Sequence, residues 1–492
     1  MIVAYRYPST PTETDVFEAI YTAVREQSRT SVRFAVGREG SENKPLISLS
    51  LPLAPVDLLA ALTELQSEGQ EFYCENADRA EGIAAGGCLV HWTGSGSDRF
   101  DQAQRVAQDW LDQIHEIALG AAPTIRVLCQ FAFGDRPAEA AQEPLWPQAP
   151  GARLFLPRWQ ITRQADLYRF TANFHLSDVS PPAALEATCA AIWKRYSRLR
   201  HLALLPQAQM GDLRPHAMPV SIPASAQRRQ QFLDGVAALL LAIERRRMTK
   251  AVLASALDLK TRNPLPIGMA LRLLRHSYSG CHVFATRCGS QTFLGASPEQ
   301  LFRIRQQLLS ADAIAGSTAR GTTAESDRQL GNALQRSPKE LHEHQIVADF
   351  IVGQLRQLGL QPSRSSKPQL LRLANIQHLH TPIAARLPAG IHPLQIVSKL
   401  HPTPAVAGLP QRTACEAITQ QEAFARSLYA GPIGWMDRQR DSEFVVAIRS
   451  ALVDAARVRL YAGAGIVRGS IPEREWQEVN TKLQAIASVL SL

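Results

Sequence analysis

From Ser225 onward, apolar and polar positions recur regularly enough to assign elements along the chain. A helix is expected over 225–247, a strand over 250–257 and a second helix around 267–277. Strand-like alternation follows near 282–287, 292–294, 300–305 and 308–313. A helix then opens at Ser337 and another covers 393–400, with further strands at 431–436, 444–452 and 458–464. Earlier in the chain, 153–162 and 167–174 alternate as strands do, and 182–200 reads as helix. The stretch 134–151, rich in Pro, Ala and Gln, reads as a surface loop, and 206–223 as a broken connector. The rest of the first two hundred residues is indistinct. No internal repeat or low-complexity tract is present. Helices mixed with antiparallel-looking strands argue for an α+β protein.

The segment Tyr461-Ala-Gly-Ala-Gly-Ile-Val-Arg-Gly-Ser leads into a C-terminal helix that carries Glu475, Glu478 and Lys482 at offsets i, i+3 and i+7. Those offsets share one helical face. Trp476, Val479, Leu483 and Ile486 form a second, apolar stripe that can face a core. A solvated, salt-bridged face has the same spacing, but a second carboxylate pair, Glu340 and Glu343, repeats the three-residue interval just after Ser337-Pro338. Ser337 with Pro338 at the first helical position is a helix-start signal, and Glu340 fits the last position of a capping box. Ser470 and Glu473 fit the same box on the C-terminal helix. Two helices that each present Glu-x-x-Glu can face each other across a divalent ion. An oxygen-only donor set favours Mg²⁺ over Zn²⁺.

Composition narrows the partners. At 45% hydrophobic and 20% charged, the 492-residue chain is an ordinary globular protein with room for a large core. The seven cysteines (Cys74, Cys88, Cys129, Cys189, Cys281, Cys288 and Cys415) are odd in number and lack metal or redox spacing, so reduced thiols in the cytoplasm are expected. The N-terminus has no signal-peptide pattern, and the longest apolar run, Val236 to Ile243, is too short to span a bilayer. The net charge of +9 is scattered, and aromatics at 7% do not interleave with basic residues, so nucleic acid is not an expected partner.

Together these segments resemble the chorismate-utilising enzymes, the family of anthranilate synthase component I, aminodeoxychorismate synthase, salicylate synthase and isochorismate synthase. The resemblance is carried by Lys250-Ala-Val-Leu-Ala-Ser, Gly295-Ala-Ser-Pro-Glu-Gln-Leu-Phe, Asp312-Ala-Ile-Ala-Gly-Ser, Lys339-Glu-x-x-Glu-His and Ile376-Gln-His-Leu. It continues through Leu400-His-Pro-Thr-Pro-Ala, Tyr429-Ala-Gly-Pro-Ile-Gly, Ala447-Ile-Arg-Ser-Ala and the closing segment. It covers about residues 225–490, so 225–492 is expected to be the catalytic region. Residues 1–224 are expected to be an N-terminal portion packed into the same fold. The implied fold has two mainly antiparallel sheets flanked by helices.

By position, the resemblance implies Mg²⁺ held directly by Glu343 and Glu478, with Glu340 and Glu475 acting through bound waters. Tyr429, Arg449, Gly463, Gly465 and Lys482 match positions that bind the carboxylates of chorismate. Gly316, Ser317, His378 and Ala405 match further substrate-binding positions, His378 near the C4 hydroxyl. Lys250 matches a general base that activates water and must lose its proton to do so. Glu299, in Ser297-Pro-Glu, matches the acid that protonates the leaving hydroxyl. Ala315 stands where aminodeoxychorismate synthases carry a nucleophilic lysine. Ala405 stands where anthranilate and salicylate synthases tend to carry Thr, and the Leu-Leu-Glu-Ser inhibitor motif is absent. The implied activity is therefore that of an isochorismate synthase, with salicylate synthase, anthranilate synthase component I or a silent binding protein as alternatives. No membrane and no obligatory amidotransferase subunit are expected, and the assembly is expected to be a monomer or homodimer.

Overall fold

The computed structural model describes residues 3–5, 13–35, 45–66, 69–120, 122, 125–135, 149–204, 225–373 and 376–490. The expected connector at 206–223 lies outside the described residues, as does the expected loop at 134–151 apart from its two ends.

The α+β class holds. Among the described residues, twenty-one strands share one hydrogen-bonded network, antiparallel except where Ile114–Leu119 runs parallel to Val3–Tyr5 and to Leu46–Leu53. Two sheet-like arms meet at the long strand Ala152–Gln164. That strand pairs with Glu81–Gly94 along its length. Its first residues also pair with Val127–Phe131, and its last with Leu167–His175. Through Glu81–Gly94 one arm continues to Gln70–Asn76, His282–Cys288, Gln291–Ser297, Ser450–Asp454, Arg457–Val467 and Lys250–Lys260. Through Val127–Phe131 the other continues to Pro432–Met436, Ser442–Val446, Gln300–Arg305, Leu308–Ala319 and Ile376–Arg386.

Two hydrophobic clusters fill the layers, and alternation along a strand feeds both. In Lys250–Lys260, Ala251, Leu253 and Leu257 enter one cluster while Ala254 enters the other. Successive side chains point to opposite faces, so a strand buried on both sides reads as a nearly continuous apolar run. The C-terminal helix Pro472–Val489 presses Val479, Leu483 and Ile486 into the first cluster, as its apolar stripe requires. The helix Pro338–Gln357 presses Val347, Ile351 and Leu355 into the second.

Three expectations are corrected. The single strand expected at 444–452 is two, Ser442–Val446 and Ser450–Asp454, broken where Arg449 adopts φ +50°. The strand expected at 308–313 runs on to Ala319, with a bulge between Ala315 and Ser317. The box expected from Ser470 and Glu473 does not form: the helix begins after Ile471, Ser470 Oγ accepts the Val467 N–H at 3.2 Å, and Glu473 pairs with Arg229 at 2.6 Å. Helices Ala324–Arg336 and Gln411–Gln421 have no counterpart among the expected elements. Each buries only two positions, Gly331 with Leu334 and Ala414 with Ile418.

Candidate active site

A cleft of about 1010 Å³, open to solvent, gathers residues from both arms and both carboxylate-bearing helices. Every expected site residue except Lys250 borders it. Lys250 lies behind its wall, fully buried, with Nζ 2.8 Å from Glu343 Oε1.

The acidic side is built by the two helices. Ser337 caps Pro338–Gln357 by accepting the Glu340 N–H at 3.4 Å, but the reciprocal half of a capping box is not made. The Glu340 carboxylate turns into the cleft and accepts the Ser317 N–H at 3.3 Å instead. Opposite, Glu475 and Glu478 project from Pro472–Val489 as their spacing predicts. Burial raises the Glu340 carboxyl above its ordinary range, helped by the charges of Glu343 and Glu478 and opposed by Lys339. Burial also raises Glu475, with Lys339 opposing and Glu478 adding repulsion. Glu343 goes the other way: burial pushes it up, but Lys250, then Lys339 and Lys482, hold it low.

This donor set suits a hard cation such as Mg²⁺: it is oxygen-only and self-repelling. It is not a closed coordination sphere, since among the described residues no three His, Cys, Asp or Glu side chains are grouped for a metal. The carboxylates are held by ammonium groups instead. Lys482 Nζ lies 2.6 Å from Glu478 Oε1 and donates to the Gly463 carbonyl at 2.9 Å. Lys339, to which the sequence assigns no role, reaches Glu475 at 3.3 Å and Glu340 at 4.0 Å, linking the two helices. In the sequence it is visible only as the first residue of the Lys339-Glu-x-x-Glu-His segment. Gly465 leaves room for the Glu343 carboxylate: a Cβ there would stand 2.6 Å from Oε1 and push it aside.

The opposite side is cationic and aromatic. Arg449, at the break between its two strands, donates to His378 Nε2 at 2.9 Å. Burial first, and then the charges of Arg449 and Lys482, hold His378 well below its ordinary pKa, so its ring is neutral. With Nε2 accepting from Arg449, the ring proton sits on Nδ1 and is given to the Gly316 carbonyl. Gly316 takes φ +75° in the bulge. Tyr429 and Tyr461 stack with ring centroids 5.0 Å apart to form another wall. Ala315 and Ala405 border the cleft as small side chains.

Glu299 is buried at 5% exposure in the same cleft. Burial raises its carboxyl to about 7 against the pull of Lys250 and of the Thr403 hydroxyl, which donates to Oε1 at 3.4 Å. The Asp312 charge adds to the rise. Thr403 carries no signal of its own in the sequence; it sits two residues before Ala405, inside the Leu400-His-Pro-Thr segment. The arrangement offers a group able to give a proton near neutral pH, an arginine fork for a carboxylate, and an acidic wall for a cation.

A sequence model of a family described as chorismate binding enzyme matches residues 30–491. The salicylate biosynthesis isochorismate synthase of Pseudomonas aeruginosa is 33% identical over 464 residues, which cover 93% of this chain and 93% of that one. The isochorismate synthase MenF of Bacillus subtilis is 34% identical over 288 residues, 58% of this chain and 61% of the relative. Among solved structures, the menaquinone-specific isochorismate synthase MenF of Escherichia coli superposes with a TM-score of 0.70 at 26% identity. That match covers 94% of this chain and 100% of that one.

Proposed function

The chain belongs to the chorismate-binding enzymes, and within that family we propose that it is an isochorismate synthase. The observation that carries this reading is Glu299, a buried carboxyl at the cleft with a pKa of about 7 and Lys250 as a neighbouring charge. Water adds at C2 of chorismate, the ring double bonds shift, and the C4–O bond breaks. Glu299 gives its proton to the departing hydroxyl, which leaves as water. Lys250 takes a proton from the incoming water, for which its ammonium must first lose a proton and give up Glu343, its partner at 2.8 Å; after turnover the proton gained by Lys250 returns through water to the Glu299 carboxylate. Atoms balance: one water enters and one leaves.

Arg449, oriented by neutral His378, binds a substrate carboxylate through its fork. Lys482 sits where it can neutralise the same dianion from the other helix. Mg²⁺, held by Glu343 and Glu478 with Glu340 and Glu475 behind waters, would neutralise the ring carboxylate when bound. Ala315 favours water chemistry over a lysine nucleophile, and Ala405 favours release of isochorismate over elimination of pyruvate.

The test is product analysis after incubation with chorismate and Mg²⁺ without ammonia. Isochorismate alone is expected. Salicylate with pyruvate would make the chain a salicylate synthase, anthranilate on adding ammonia would make it an anthranilate synthase, and no turnover would leave a binding protein.

A further inference from the structure

We propose that His344 is a positioning residue for this site, acting through the bulge at Ala315, Gly316 and Ser317 rather than on the substrate. The proposal rests on the assignment of the cleft to chorismate for its kinetic consequences, but not for its geometry.

The bulge lies where the two sides of the cleft meet. Its two consecutive peptide units make three different bonds. The Ser317 N–H holds the Glu340 carboxylate at 3.3 Å on the acidic side. The Gly316 carbonyl takes the ring proton of His378, whose other nitrogen takes the Arg449 guanidinium at 2.9 Å on the cationic side. The Ala315 carbonyl accepts from His344 Nδ1 at 3.3 Å. His344 Nε2 in turn accepts the Thr381 hydroxyl at 2.7 Å. His344 is 2% exposed and does not border the cleft, so both ring nitrogens are spent on structure.

A bulge leaves the ladder locally unpaired, and the strand pairing shifts register here between Ala315 and Ser317. Gly316, at φ +75°, has no side chain to fix it, and a Cβ would stand 3.2 Å from Glu340 Oε2. Something else must therefore fix the bulge, and His344 is one turn along the same helix that carries Glu340 and Glu343. One buried imidazole thereby ties the helix that presents the acidic pair to the peptide unit just before the one that aims His378 and Arg449. Thr381, from the neighbouring strand Ile376–Arg386, holds the ring in place.

The readouts are amide exchange of the segment 313–319 followed by mass spectrometry, calorimetric Mg²⁺ affinity, and KM against kcat for chorismate. His344→Ala is expected to speed exchange in that segment while other strands keep their protection. It should raise both the Mg²⁺ dissociation constant and the chorismate KM by roughly three- to tenfold, the size of one lost buried hydrogen bond. Thr381→Val should move the same quantities in the same direction by less. His344→Gln, which retains an N–H and a carbonyl oxygen, should restore part of the loss.

A purely structural histidine would instead lower the melting temperature and the active fraction while leaving KM unchanged, and that outcome overturns the proposal. Unaltered exchange at 313–319 in both His344→Ala and Thr381→Val overturns it as well. Should His344→Ala fail to fold, Thr381→Val carries the test. A wild-type protein inert toward chorismate defeats the isochorismate synthase reading alone, because the exchange experiment needs no ligand.

Discussion

Removing the Glu299 proton should alter the rate and its pH dependence together. The carboxyl is raised from an ordinary 4.5 to about 7, worth about 3 kcal/mol of preference for the neutral form. A donor of that strength is roughly half protonated at pH 7, about one tenth at pH 8 and about one hundredth at pH 9. The profile of kcat/KM should therefore fall tenfold per pH unit above about 7. Glu299→Gln keeps the shape but has no readily transferable proton, so kcat should drop by roughly 10²–10⁴ and the basic limb should vanish. Thr403→Val removes a hydrogen bond that favours the carboxylate, so it should move the limb to higher pH. The same raised value has a sign for stability. Because the folded value lies above the unfolded one, its contribution is complete below about 4.5 and is lost as pH rises through about 7. Glu299→Gln should thus lose less stability than wild type between those values. The assay is absorbance-coupled or chromatographic detection of product from pH 6 to pH 9. A Glu299→Gln enzyme with a wild-type rate, or an unaltered basic limb, refutes the acid role.

Lys250→Ala should lower kcat by roughly 10²–10⁴ with little change in chorismate affinity; a rise in KM alone would make Lys250 an anchor. Glu478→Gln should weaken Mg²⁺ binding by calorimetry and abolish turnover at ordinary Mg²⁺ concentrations, and Glu475→Gln should do less. Equal, wild-type-like titrations for both would count against the metal assignment. Gly465→Ala places a methyl 2.6 Å from Glu343 Oε1, so activity should fall by on the order of 10² while circular dichroism stays native. Arg449→Lys keeps the charge but loses the fork and the bond to His378, so KM should rise by roughly 10–100-fold; an unchanged KM would remove Arg449 from the carboxylate site.

The sequence is most legible where periodicity and chemistry coincide. Spacing alone puts Glu475, Glu478 and Lys482 on one face, and the helix expected at 267–277 matches Ile267–Ser277. Long-range pairing is not legible. Lys250 and Glu343 are 93 residues apart, and nothing local to either says that the proposed base is paired with a proposed metal ligand. The break at Arg449 is hidden because Phe444-Val-Val-Ala-Ile continues a strand pattern, and the residue that turns the chain at φ +50° is not a glycine. His344 closes the Lys339-Glu-x-x-Glu-His segment, but its role is unreadable, because its partners are a backbone carbonyl and a hydroxyl on other elements.

The pairing of Gln70–Asn76 with His282–Cys288, and of Val127–Phe131 with Pro432–Met436, bears on how this protein can be cut. A fragment limited to residues 225–490 would retain all the proposed chemistry yet bare one edge each of His282–Cys288 and Pro432–Met436. Their free N–H and C=O groups would be templates for another chain. Such a fragment should precipitate or pair with itself rather than work, so for minimisation or transplantation the first two hundred residues belong with the catalyst.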